Sequence, residues 1–199
     1  MLSLTKPTKG VIVAAAALAG AYLTRHAIDW LRREPPVSPQ LAERPWVAQT
    51  LGTEGILFDS PWPLKPLSLT FPPETARAIS SSTALSQEGD GMHLMVMHAY
   101  FRPGTAGSLE GAAENSIANM RSVPGTSSVN GGKRPTTVLG LPGFDVEARI
   151  ERERGGPLQL YGVVFGEGLE LYQVQFIANA DQPAAKAAWK RLRASIHRR

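Results

Sequence analysis

Four histidines are the side chains here best suited to acid–base or metal chemistry near neutral pH. They stand at His26, His93, His98 and His197. His93 and His98 fall in one stretch, Met92–Phe101, at odd separation. In a strand, residues at odd separation point to opposite faces, so the two do not share one metal ion. A metal site would need one of them to meet Glu88 or Asp90 across the neighbouring turn. Structural histidines, satisfied in the core or exposed, are the ordinary reading. His26 and His197 lie in terminal segments.

Other groups that could do chemistry are fewer still. The chain has no cysteine, which excludes thiolate zinc sites, iron–sulfur clusters, disulfides and cysteine nucleophiles. It has neither a Gly-x-Ser-x-Gly elbow nor a phosphate-binding P-loop. Gly131-Gly132-Lys133-Arg134 points to anion contact by composition alone, and a solvated turn is the ordinary reading. Asp145, Glu147 and Glu151 alternate with Arg149 along one face of a strand-like run. That reads as self-compensated surface charge, with a cation or basic partner as the alternative. No catalytic residue, metal ligand or cofactor is assigned. The candidate partner surface comprises Trp46 and Trp62, the latter within the proline run Pro61–Pro66, and the basic residues Lys186, Lys190 and Arg193. Aromatics beside prolines can line a partner groove. The terminal cations could touch anionic lipid headgroups.

These residues need a scaffold, and composition bounds it. The 199 residues are 43% hydrophobic and 19% charged, which is globular composition. The length fits one domain plus an extension. The net charge of +4 is a property of the ends. The body is mildly acidic, whereas Lys186 to Arg199 carries six cations and no acid. A nucleic-acid protein would spread basic residues over its folded face, so no nucleic-acid partner is expected.

Lys6 and Lys9 precede the apolar run Gly10–Leu23, which continues as Thr24–Leu31 before Pro35-Pro36. A basic flank before an apolar run is the layout of an export signal or membrane anchor. The run is short of the roughly 20 apolar residues that span a bilayer core. Arg25 can snorkel, and Trp30 suits the headgroup level. The expectation is an uncleaved single-pass anchor through residues 10–31 with the domain outside the cytoplasm. The alternatives are cleavage after Ala21, giving a periplasmic or secreted protein, and a cytosolic amphipathic helix. Residues 35–52 read as a Pro-rich linker.

The body alternates short strands with two helices. Strands are expected at Gly55–Asp59, Ser82–Gln87 and Met92–Phe101, the last two joined by the hairpin signal Glu88-Gly89-Asp90-Gly91. Leu67–Phe71 is at best an edge strand. Pro73–Ile79 can form about one helical turn. Ser108 caps a helix with Leu109, Ala113, Ile117 and Met120 as its apolar stripe. Strands follow at Thr136–Leu141, Gly143–Arg152, Leu158–Phe165 and Leu169–Ile177. Asp181 caps a last helix with its stripe at Ala185, Trp189, Leu192 and Ile196. Short turn-linked strands imply antiparallel pairing.

This order, together with Leu139-Gly140-Leu141-Pro142-Gly143-Phe144, the hairpin through Tyr172 and the closing helix with Trp189 and Ser195-Ile196, resembles the PsbP/DcrB-like superfamily. The likeness runs from about residue 53 to 197. It implies an α+β fold in which a largely antiparallel sheet is sandwiched by helices. It also implies exported or membrane-associated proteins that serve as accessory or binding subunits. It carries over no catalytic residues and no photosynthetic role. The resulting division is a signal or membrane-anchor helix at 1–34, the linker at 35–52 and the α+β domain at 53–199. The expected function is a non-catalytic, membrane-tethered binding or accessory module with a protein partner. The alternatives are a hydrolase or metal-dependent enzyme whose site is assembled from distant residues, such as His98 with a carboxylate, and an assembly factor of a membrane complex.

Overall fold

The chain's hairpins are set by residues that adopt positive φ. In the computed structural model, which describes residues 37–52, 55–105 and 107–198, Asp90 and Gly91 have φ of 48° and 76°. Two successive positive values make the tight hairpin turn whose twist matches that of the flanking strands. It joins β4 (Ile79–Gly89) to β5 (Met92–Phe101), as the sequence predicts. A second such turn, at Leu139-Gly140 with φ of 55° and 81°, falls inside a stretch expected to be a strand. A leucine in the left-handed region costs roughly 1–2 kcal/mol. Paired strands on both sides hold it there, β6 (Thr126–Val138) and β7 (Leu141–Arg152).

The preceding elements are β1 (Val47–Leu51), β2 (Ile56–Ser60), the two-residue β3 (Lys65–Pro66) and α1 (Pro73–Ala78). Those that follow are α2 (Leu109–Met120), β8 (Leu158–Phe165), β9 (Glu170–Asn179), α3 (Pro183–Ser195) and β10 (His197–Arg198). Seven strands form one antiparallel sheet in the order β3-β4-β5-β9-β8-β7-β6, and β1-β2-β10 form a second, small sheet. The centre is β5 and β9, buried on both faces, which explains why their sequences are nearly continuously apolar.

One face carries Met95, Met97, Ala99, Leu160, Val164, Val146 and Ile150, packed under Ala113, Ile117 and Met120 of α2. The other carries Leu94, Val96, Tyr172, Val174 and Phe165, packed under Leu192 and Ile196 together with Ile56 and Phe58 of the small sheet. Each fully buried side chain of this size contributes about 1.5–3 kcal/mol relative to exposure. The sheet therefore dominates the α+β fold. One face has a single long helix, and the other shares its cover between α3 and the small sheet.

Several expectations are corrected. Residues 37–51, read as linker, fold onto the body: Val37 and Leu41 are 4% and 0% exposed, a 3-10 turn spans Pro39–Ala42, and β1 follows. Proline content concealed this because the buried residues are sparse. Gly131–Arg134 is no turn but the middle of β6, paired in order with Ala148, Glu147, Val146 and Asp145 of β7. A Cβ on Gly131 would lie 2.3 Å from the Glu147 carbonyl oxygen, so the glycine permits the close approach. The edge strand is Lys65–Pro66, and of Leu67–Phe71 only the Leu67 amide reaches the sheet, donating to the Ala84 carbonyl at 2.8 Å. Gln182, not Asp181, is the N-cap of α3; Asp181 has φ 62° and pairs with Arg149. The expected N-terminal helix and His26 lie outside the described residues. Among the described residues, no helix is long and apolar enough to cross a membrane.

Candidate binding cleft

The two strand histidines do face opposite sides, and His98 lies behind a carboxylate, Glu170, that lines a cleft rich in ionisable groups. His98 on β5 lies directly across from Tyr172 on β9. Their rings stack with centroids 4.5 Å apart at 20°, and Tyr172 stacks in turn on Phe165 of β8 at 5.2 Å and 17°. Alternation puts Glu170 on the same face as Tyr172. The Tyr172 hydroxyl donates to Glu170 Oε2 at 3.1 Å, and His98 Nε2 lies 3.4 Å from Glu170 Oε1. His98 and Tyr172 are 4% and 1% exposed. Gly52 closes over the imidazole; a Cβ there would lie 2.9 Å from Nδ1. The result is a carboxylate at a cleft's edge, oriented from behind by two buried rings.

That cleft, of about 370 Å³, is lined by Ile56, Leu141, Glu167, Glu170, Tyr172 and Arg198. A second cleft, of about 210 Å³, lies beside Phe101, Leu109 and Pro142 and shares Glu167, Gly168 and Glu170 with the first. The β8–β9 turn is thus a tongue between two hollows. The first hollow presents two carboxylates and a guanidinium beside Ile56 and Leu141. Those groups suit recognition of a cationic or hydrogen-bond-donating segment, with the carboxylates as acceptors.

His93, on the opposite face, has its Nε2 2.9 Å from Ser86 Oγ and sits across from Glu88. A shallow hollow of about 280 Å³ opens there toward Lys65 and Leu67. Among the described residues, no three His, Cys, Asp or Glu side chains converge as a metal site. His197 is exposed on β10, with Nδ1 2.6 Å from the Ser195 carbonyl oxygen.

The sequence-chosen partner residues are scattered. The Trp46 indole donates to the Leu41 carbonyl at 2.8 Å, and the Arg191 guanidinium lies over its ring at 4.5 Å. The Trp62 indole donates to Asp90 Oδ2 at 2.9 Å, and Arg44 pairs with the same oxygen at 2.5 Å. Both tryptophans are half-buried fasteners of the N-terminal segment and pack against the cores. Arg193 bonds Asp145 at 3.2 Å and Thr136 at 3.3 Å, tying α3 to the sheet. Lys186 and Lys190 are exposed. The acidic row is internally paired: Arg134 with Glu147, and Arg149 with Glu151 and Asp181. Lys133 crosses to Glu110 and Glu114 of α2, and these hydrogen bonds, Glu114's foremost, raise its pKa above the ordinary lysine value.

No protein-family model matches the chain, and no curated protein matches it in sequence. The architecture is nevertheless that of the PsbP-like fold. The solution structure of cyanobacterial PsbP (CyanoP) from Synechocystis sp. PCC 6803 superposes with a TM-score of 0.54 and 10% sequence identity, covering 77% of this chain and 92% of that one. PA94, a protein of unknown function from Pseudomonas aeruginosa, matches at a TM-score of 0.42 and 12% identity, covering 68% of this chain and 97% of that chain.

Proposed function

We propose that this protein is a non-catalytic binding or accessory module, held at a membrane by the apolar run at residues 10–31 with its domain outside the cytoplasm. A cationic or donor-rich segment of a protein partner docks in the cleft beside Glu170. The observation that carries the reading is the Glu170 carboxylate, aimed by His98 and Tyr172 into a hollow bordered by Glu167 and Arg198. Its partners are recognition groups on a rigid sheet rather than a nucleophile with an adjacent base. The PsbP-like fold supports the same class, since the resemblance implies accessory or binding subunits.

The test is capture of the partner from membranes with the full-length chain. Crosslinking should recover one protein with the wild type and lose it with Glu170→Gln, while the thermal midpoint moves by only a few degrees. Equal capture by wild type and Glu170→Gln would exclude the cleft. Finding the full-length chain wholly in the soluble fraction would remove the tether.

A further inference from the structure

We infer that the domain rests on the lipid surface through the end of the sheet where Val37 joins the fold, leaving the Glu170 cleft at the far end. The inference rests on the tethered reading above and adds an orientation to it. Val37 is 4% exposed, and its amide donates to Gln182 Oε1 at 2.8 Å. From there the chain is fixed to the body through Leu41 and the Trp46 indole. The apolar stretch of the sequence runs to Leu31. The few residues between Leu31 and Val37 reach at most about 20 Å, given roughly 3.3–3.6 Å per extended residue. A long flexible linker would leave orientation free; this short reach does not.

The strand register identifies what shares that end. Gln182 follows the end of β9, where Ala178 pairs with Met92 and Asn179 with Leu158; Thr126 pairs with Arg152 beside them. The rim therefore comprises the β4–β5 turn, the β7–β8 turn, the C-terminus of α2 and the N-terminus of α3. The Glu153 amide donates to the Gly125 carbonyl at 2.8 Å and joins two of these turns. Arg121, Arg154 and Lys186 are exposed on this rim. Of its acids, Asp90 is paired with Arg44, and Asp181 with Arg149. Glu43 and Glu153 stand exposed beside the cations. Basic side chains held near a bilayer are attracted to anionic headgroups. The opposite end carries Glu167 and Glu170 together with the exposed Arg102 and Arg198, so its charges by themselves set no orientation. The 10 residues of β9 separate the two ends by about 30 Å at roughly 3.3 Å per residue. The short tether thus orients the domain, with the rim's cations at the headgroups and the cleft facing a partner away from the bilayer.

The absence of cysteine makes the test clean. The full-length chain carrying Ser122→Cys at the rim or Arg102→Cys at the far end is labelled with a donor dye. Each is reconstituted into vesicles holding acceptor-labelled headgroups, with and without about one-third phosphatidylglycerol. Energy transfer should be strong from position 122 and weak from position 102, and anionic lipid should strengthen the former. Arg121→Glu with Arg154→Glu and Lys186→Glu should abolish that strengthening. Equal or reversed transfer from vesicle-bound protein overturns the orientation. Strengthening that survives the triple charge reversal overturns the basic contact. Protein that remains in the supernatant overturns the tether itself, a failure seen before any transfer is measured.

Discussion

His98 and Tyr172 stack as register partners on the two central strands, with ring centroids 4.5 Å apart, and both reach the Glu170 carboxylate. Three side chains from two neighbouring strands are thereby fixed by backbone pairing rather than by loops. This makes the cleft's acceptor pre-organised, and it separates what each side chain contributes to stability from what it contributes to binding.

Tyr172→Phe should keep the stack and lose the hydroxyl bond to Glu170. Because Glu170 remains partly hydrated, the cost should be about 1 kcal/mol. His98→Ala removes a buried ring from beneath Gly52 and should cost roughly 2–4 kcal/mol, the range for large-to-small core changes. Denaturant unfolding at constant m-value checks both. Equal losses from the two variants would show that the hydroxyl, not the stack, dominates this corner of the core.

Gly131 and Gly132 are neighbours on β6 with opposite tolerances. Gly131→Ala drives its Cβ into the Glu147 carbonyl and the Ala148 backbone, whereas Gly132→Ala meets nothing within 4 Å. The first should lose roughly 1–3 kcal/mol by overpacking, and the second should stay within about 0.5 kcal/mol of wild type. Thermal unfolding of the two single variants decides it. Matching losses would mean that β6 does not pair with β7 in the stated register.

These glycines also show where the sequence stops being legible. The central strands are readable because both their faces are buried, and β7 because Val146, Ala148 and Ile150 alternate with charges. The β4–β5 hairpin is readable because Asp-Gly supplies two positive φ angles cheaply. β6 is readable only at its end, from Thr136: as an edge strand it buries only Val138 fully, and Gly-Gly and Pro135 in its middle are breakers by composition. Leu139 at φ 55° is not readable, since the pairing on either side, not its own preference, sets it there. The cleft is hidden for a different reason. Alternation shows that Tyr172 and His98 face single sides of their strands, but only the register across β5 and β9 makes those sides the same. Trp46 and Trp62 stand out in the sequence as surface candidates, yet their indoles are pulled inward by donating to the Leu41 carbonyl and the Asp90 carboxylate.

Gln175 is 1% exposed, and neither its side-chain nitrogen nor its oxygen has a hydrogen-bond partner among the described residues. Its neighbour Gln173, equally buried, donates to Ser116 Oγ at 2.8 Å. Burying an unmatched amide costs more than burying a thioether of similar shape. Gln175→Met should therefore raise stability by about 1 kcal/mol, and Gln173→Met should lower it by a similar amount. The sign of the difference in unfolding free energy is the readout, and a loss at both positions would count against the packing described for β9.

Tyr161 offers a pH test. Its ring stacks on Trp189 at 6.1 Å, and burial, then the negative charges of Glu147 and Asp181, raise its pKa above the ordinary 10.0. The neutral phenol is the form the folded state prefers, so the folded state binds the proton more tightly than the unfolded chain. Stability is then unaffected by this group below pH 10.0 and falls as pH rises through the raised folded value. Lys133, also raised, acts with the same sign: its paired ammonium stabilises below 10.5 and is lost above. Tyr161→Phe should leave stability near neutral pH almost unchanged and make the alkaline decline shallower, with the remaining slope belonging to Lys133 and other basic groups. Lys133→Met in the Tyr161→Phe background should flatten it further. An alkaline slope identical in wild type and Tyr161→Phe would show that the phenol is as easily ionised in the folded protein as in the unfolded chain, and that α3 does not shield it from water.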